Sequence, residues 1–201
     1  MNDTFLPDGY TAPETESHYM ELAEGLNSLR VLSPAIVGYE WWMENSDGQK
    51  TPVRVRTEAE VPEEIRMTAD RRARARHFWA FVVYNNDAKA IQMLVIKQQT
   101  IMGAIEALIR NPKWGDPRGY DLLIEKARTG TRERDVEYSV LPEPKTPVDE
   151  GIAELARQVP VDLEALYEGR DPFASARESL APAQNGRAAH RSGGRHHVHA
   201  A

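Results

Sequence analysis

Apolar and polar positions change period several times along this chain, dividing it into short strands, one amphipathic helix and polar connectors. Residues 28–32 (SLRVL) alternate like a half-buried strand, and Ser33-Pro34 breaks the run. Residues 35–43 (AIVGYEWWM) are β-branched and aromatic, which predicts a second strand, with Gly38 marking a bulge or a close backbone approach. Asn45-Ser46-Asp47-Gly48 supplies turn residues, and 52–56 (PVRVR) reads as the returning strand. Residues 58–76 are polar, charged and poor in β-formers, so they form a long excursion. The strongest strand pattern follows at 77–84 (HFWAFVVY); Asn85-Asn86-Asp87 and a second apolar run at 90–96 make a hairpin with it. Ile101, Met102, Ile105, Leu108 and Ile109 have helical spacing, so a helix is predicted over 98–110 and stops at Asn111-Pro112. Two further strands, 120–126 and 136–141, are joined by a basic loop at 127–135 that contains Gly130.

This order predicts a mainly β protein with peripheral helices. The arrangement expected is an OB-like five-stranded Greek-key barrel with a helix between strands 3 and 4, the 52–56 segment prolonging the first hairpin. Beyond Pro142, Pro144 and Pro147, two short helical segments at 149–158 and 162–167 are expected to be peripheral. The chain divides into an acidic N-terminal arm (1–21), the OB-like domain (22–145), an acidic helical segment (146–180) and an Ala/Gly/Arg/His-rich tail (181–201) expected to be disordered.

Composition narrows the classes. The 201 residues suit one domain with tails, and 41% hydrophobic content is enough for a core. No window is apolar enough for a membrane span, and Asn2 and Asp3 stand where a basic signal-peptide start would be, so a cytoplasmic protein is expected. The absence of cysteine excludes disulfides and thiolate zinc sites. A net charge of −6 argues against a polyanionic partner until its distribution is considered. Residues 1–21 hold five acids and no Lys or Arg, and 142–180 hold nine acids against four bases. Residues 22–141 are nearly balanced at 18 bases and 17 acids, and the tail adds three arginines. Acidic flanks of this kind leave a local basic groove usable.

Aromatics and arginines on strands are what a sequence-tolerant single-strand binder needs: bases stack on ring faces and cations track phosphates. Trp41-Trp42 and Phe78-Trp79 each place one ring on either side of a strand, so one member of each pair is a candidate stacking platform and the other a core residue. Both rings could instead lie buried under the 58–76 excursion. Arg72, Arg74 and Arg76 lead into the Trp79 strand, Arg54 and Arg56 lie on the returning strand, and Lys97 follows the 90–96 run. Lys126, Arg128 and Arg132 flank Gly130 on the second basic loop, where Arg134 also lies. Each group is either a backbone clamp or a solvated surface. Leu163, Leu166, Tyr167 and Phe173 stand among acids at 162–173; they either dock in a partner's basic groove or pack on the protein's own surface.

Enzyme signatures are missing: no Walker loop, no G-x-G-x-x-G and no G-x-S-x-G occurs. Asp116 and Asp121 lack a surrounding acidic constellation, and His18 and His77 are single. His190, His196, His197 and His199 fall in the tail, where nothing preorganises a site. No catalytic residue, metal or cofactor is expected.

Taken together, Phe5-Leu6-Pro7, 29–40 (LRVLSPAIVGYE), 77–85 (HFWAFVVYN) and the helix opening Gln98-Gln99-Thr100-Ile101 carry a likeness that composition does not provide. Trp114-Gly115-Asp116-Pro117, Tyr120-Asp121 and 137–140 (EYSV) complete it. In order and spacing these segments resemble phage-type single-stranded-DNA-binding proteins over roughly residues 5–173. The resemblance implies an OB barrel that coats single strands in replication, recombination and repair, without catalysis, and a C-terminal region that recruits partner proteins. It also implies that the strands with Trp41, Trp42 and Trp79 and the two basic loops line the groove. The chain departs from the family pattern twice. It lacks the cysteines of the zinc insert found in some relatives, and it ends in an Arg/His-rich run, which moves any recruitment role to 162–173. Two other readings stay open: a protein–protein assembly module with buried aromatics, and a DNA-processing enzyme such as a nuclease or an annealing recombinase.

Overall fold

The computed structural model of the protein describes residues 17–132 and 135–180. Phe5-Leu6-Pro7, most of the acidic arm, Arg134 and the tail from 181 onward lie outside the described residues. Seven strands form one antiparallel sheet: β1 (Gly25–Val31), β2 (Ile36–Glu44), β3 (Lys50–Val55), β4 (Arg76–Asn85), β5 (Ala90–Ile96), β6 (Asp121–Arg128) and β7 (Val136–Pro142). Neighbouring strands run in the order β3-β2-β4-β1-β6-β7, and β5 pairs with the other edge of β4.

β4 organises the sheet. Its first half pairs with β2 (Ile36↔Ala80) and its end with β1 (Val31↔Val83), so β1 and β2 are two halves of one bent run along the same edge. The bend falls at Ser33-Pro34, where proline has no N–H for the ladder. The ladder is mended locally: Leu32 N–H donates to Val82 O at 2.9 Å, and Val82 N–H donates to Ser33 Oγ at 2.9 Å. The β2–β3 turn is held by Asn45, whose Oδ1 accepts from Asp47 and Gln49 N–H, and Gly48 adopts φ +77° there.

The β4–β5 hairpin is buried on both faces, which accounts for its near-continuous apolar sequence. Phe81, Val83, Leu94 and Ile96 face the larger core with Leu29, Val31, Leu122, Ile124 and helix α2 (Gln99–Arg110), which contributes Ile101, Met102 and Ile105. Phe78, Ala80 and Met93 face a second cluster completed by Leu166 and Phe173. Burying such side chains contributes about 1.5–3 kcal/mol each. The remaining helices are short: α1 (Glu63–Met67) in the excursion, α3 (Glu150–Gln158), and α4 (Ala174–Leu180), which has no counterpart in the sequence reading. Residues predicted helical over 162–167 form a 3₁₀ turn at Leu163–Glu168. Arg30, buried in β1, donates to Asp121 and to both oxygens of Thr146, stitching the start of the C-terminal segment to the sheet.

The mainly β expectation holds, but the five-stranded barrel does not: this is a seven-stranded sheet, not a closed barrel. Joining its ends would require β5 to pair with β7. Among the described residues they do not pair, and the outer edge of β5 is already occupied. Residues 18–20 run parallel to it, with Met93 N–H donating to His18 O at 2.8 Å and Met20 N–H donating to Met93 O at 3.0 Å. The helix expected between strands 3 and 4 is α2, between β5 and β6. Among the described residues, no helix is long and apolar enough to cross a membrane.

Candidate nucleic-acid interface

Three segments distant in sequence meet around a pocket of about 140 Å³. β2 supplies Glu40, Trp41 and Trp42; the excursion supplies Arg72 and Arg74, with Arg76 at its junction with β4; Lys97 comes from the end of β5. The two tryptophans divide as strand alternation requires. Trp41 is 4% exposed and Trp42 is 52% exposed, so Trp42 is the one ring presented to solvent. Pro52 is its cross-strand partner on β3, and Met43 beside it is also half exposed.

The electrostatics of the pocket depend on one buried acid. Glu40 is 2% exposed at its side chain and accepts from Lys97 on Oε1 and from Arg54 at 2.8 Å on Oε2. Both oxygens are occupied, and one carboxylate faces two cations, so the group carries an excess positive charge. Arg74 is held by a hydrogen bond to Thr68 O at 3.0 Å, with no carboxylate. Among the described residues, Arg72 and Arg76 have no ion-pair partner. This local excess persists although the chain is acidic overall.

A second concavity, about 620 Å³, lies on the same face of the β2–β3 hairpin. It is lined by Tyr19, Pro52, Arg54, Arg170 and Arg177, among others. Pro52 and Arg54 are cross-strand partners of Trp42 and Glu40, so the two concavities adjoin along one hairpin face. Tyr19 is 41% exposed there, and its hydroxyl pKa is raised above the usual tyrosine value, chiefly by burial. The arginines of this part are balanced: Arg170 pairs with Glu168 and Asp162, and Arg177 with Asp171.

No known family model, curated protein or solved structure matches this chain. The interface is therefore read from its own geometry.

The other residues singled out in the sequence are dispersed. Trp79 points to the opposite face from Phe78 and lies half-buried, donating through Nε1 to His77 Nε2 at 3.1 Å. It lines a separate, mainly apolar cavity of about 340 Å³ with Pro34, Phe81, Ile105, Ile109 and Leu122. Arg56 pairs with Glu164 at 2.5 Å and stacks over Tyr167, 4.2 Å from the ring centroid. Lys126, Arg128 and Arg132 lie towards the far end of the β1–β2 run, Lys126 being paired with Gly25 at its start. All three are engaged: Lys126 donates to Leu22 O at 2.8 Å, Arg128 to Glu24 at 3.3 Å and Arg132 to Asp135 at 3.2 Å.

The four candidate partner-binding residues pack on the chain's own sheet. Leu166 and Phe173 are buried in the second cluster, and Leu163 and Tyr167 pack against it. The Tyr167 hydroxyl donates to Val37 O at 2.6 Å, and its pKa is raised, first by burial and then by Glu164. Phe173 stacks on His18 at 4.4 Å.

Glu40, Tyr19, Arg170 and Arg177 escaped the sequence reading. Glu40 left a signal, as the one acid inside the aromatic-rich run 35–43. The others become neighbours only through the fold. Among the described residues, no three His, Asp or Glu side chains are grouped to hold a metal ion.

Proposed function

We propose that the protein binds single-stranded DNA without catalysing a reaction on it, and that the hairpin face around Trp42 is its contact surface. The observation that carries this reading is the half-exposed Trp42 ring beside Arg72, Arg74, Arg76 and Lys97. A stacked base gains about 1–3 kcal/mol on such a ring, and guanidinium groups without carboxylate partners are free to take phosphates. The adjoining concavity continues the path past Pro52 and Arg54 to Tyr19, a second exposed ring. Its ion pairs are exposed, contribute about 0–1 kcal/mol each, and so cost little to exchange for phosphate contacts.

The strand order supports the same reading. With β1 and β2 counted as one bent strand and β3 as an extension of its hairpin, the path β5-β4-β1-β6-β7 follows an OB sheet left open between its third and fifth strands. α2 then falls between the third and fourth of those strands, where the resemblance to phage-type single-stranded-DNA-binding proteins would put it. Coating of single strands in replication, recombination or repair is the role that fits such a surface.

A second reading, a protein–protein module, draws on the apolar cavity beside Trp79. The two separate by mutation. Trp42→Ala should weaken binding of an oligo-dT strand and remove most of its tryptophan quenching while the protein stays folded. Unchanged oligo-dT affinity in a folded Trp42→Ala protein would refute the assignment of this face.

A further inference from the structure

Two buried side-chain nitrogens have no hydrogen-bond partner among the described residues, Trp41 Nε1 and His77 Nδ1. Only one belongs to a residue lining the basic pocket. Trp41 lines it together with Arg72, Arg74, Arg76 and Lys97, and its ring is 96% withdrawn from solvent, being 4% exposed. A buried N–H without an acceptor costs about 1–3 kcal/mol, and such groups in native structures call for an explanation. The indole nitrogen only donates, so what the pocket lacks is an acceptor. The cations around it specify a negatively charged one. Glu40 cannot serve, because Arg54 and Lys97 occupy its two oxygens. Lys97 has two ammonium N–H groups beyond the one given to Glu40, and Arg72 and Arg76 lack carboxylate partners.

We infer that this pocket takes one phosphate group and that Trp41 Nε1–H donates to one of its oxygens. Guanidinium and ammonium groups supply the remaining donors. The inference rests on the single-strand reading for the identity of the chain that carries the phosphate. It assigns the adjacent tryptophans different tasks: Trp42 stacks a base, and Trp41, which cannot stack, fixes the phosphate by hydrogen bonding. A pocket of about 140 Å³ holds a phosphate group but not a nucleoside, which keeps the base outside, on Trp42.

The test is an NMR titration of the ¹⁵N-labelled full chain, following the indole N–H resonances of its four tryptophans. Trp41→Phe assigns the relevant signal; should that variant not fold, Phe replacements of Trp42, Trp79 and Trp114 assign it by elimination. Oligo-dT, 5′-phosphorylated oligo-dT and inorganic phosphate are added in separate arms. The expected result is a downfield shift of the Trp41 signal with oligo-dT, and about ten-fold weaker binding in Arg74→Gln. A gain with the 5′-phosphorylated strand identifies a terminal phosphate, and equal response to both strands identifies an internal one. Oligo-dT binding that quenches Trp42 but leaves the Trp41 signal unmoved overturns the inference and leaves the single-strand reading standing. A shift with inorganic phosphate but no oligo-dT binding keeps the phosphate pocket and overturns the single-strand reading. No response in any arm overturns both.

Discussion

Lys97, just past the end of β5, donates to Oε1 of Glu40 on β2, tying together strands that are not neighbours in the sheet. Because Glu40 also accepts from Arg54, one buried carboxylate holds two cations in place at the floor of the proposed interface. Removing it leaves positive charge partly buried without compensation.

Glu40→Gln is therefore expected to destabilise the protein by about 3 kcal/mol, read as a lowered midpoint in urea unfolding. A midpoint equal to that of the parent would show that the paired cations relax to solvent without cost.

Gly38 has a steric role. A Cβ there would stand 2.2 Å from Val55 O and 3.2 Å from the rings of Phe78 and Tyr167. Gly38→Ala should cost about 2 kcal/mol, because the carbonyl is backbone in the paired strand and cannot yield as a flexible side chain would. The same urea experiment checks it, and an unchanged midpoint would mean that the β2–β3 hairpin is looser than it stands here.

Trp79→Ala is expected to behave unlike Trp42→Ala. The ring packs against the main core and bonds His77, so its loss should cost about 3 kcal/mol of stability while oligo-dT affinity of the folded fraction changes little. A selective loss of DNA binding without destabilisation would move the interface to the opposite face.

Acid sensitivity has a defined sign. The Asp116 carboxyl is held below the usual carboxylate range, first by the side-chain hydrogen bond from Arg118. A depressed folded-state pKa contributes stability that is present above the unfolded value, near 4, and is lost as pH falls through the folded value. The pair is about half exposed, so the contribution is small. Asp116→Asn should flatten the fall in unfolding free energy below about pH 5 relative to the parent. Parallel pH profiles for the two proteins would contradict this.

Much of the sheet was legible from local pattern alone. The β4–β5 hairpin, the apolar stripe of α2 and the turn at Asn45 are specified by residues close in sequence, and the structure places them within one or two residues of their predicted limits. Barrel closure was not legible, because it depends on which segment occupies the edge of β5, and residues 18–20 carry no strand pattern of their own. The site was legible in part. Trp42 with Arg72, Arg74, Arg76 and Lys97 gathers in one place because β2, the excursion and β5 converge there. Arg54 and Arg56 were indistinguishable from free arginines in sequence, since their partners Glu40 and Glu164 are fixed only by sheet register and by docking of the C-terminal segment. The same docking buries Leu166 and Phe173, which sequence could assign equally well to a partner.

The central claim is that this face binds single strands, and the most direct test is a tryptophan-fluorescence titration of the purified protein with oligo-dT and with the corresponding duplex at low and moderate salt. The account predicts quenching by the single strand, a clear preference over the duplex, and affinity that falls steeply as salt rises. No binding to either DNA at low salt would contradict it.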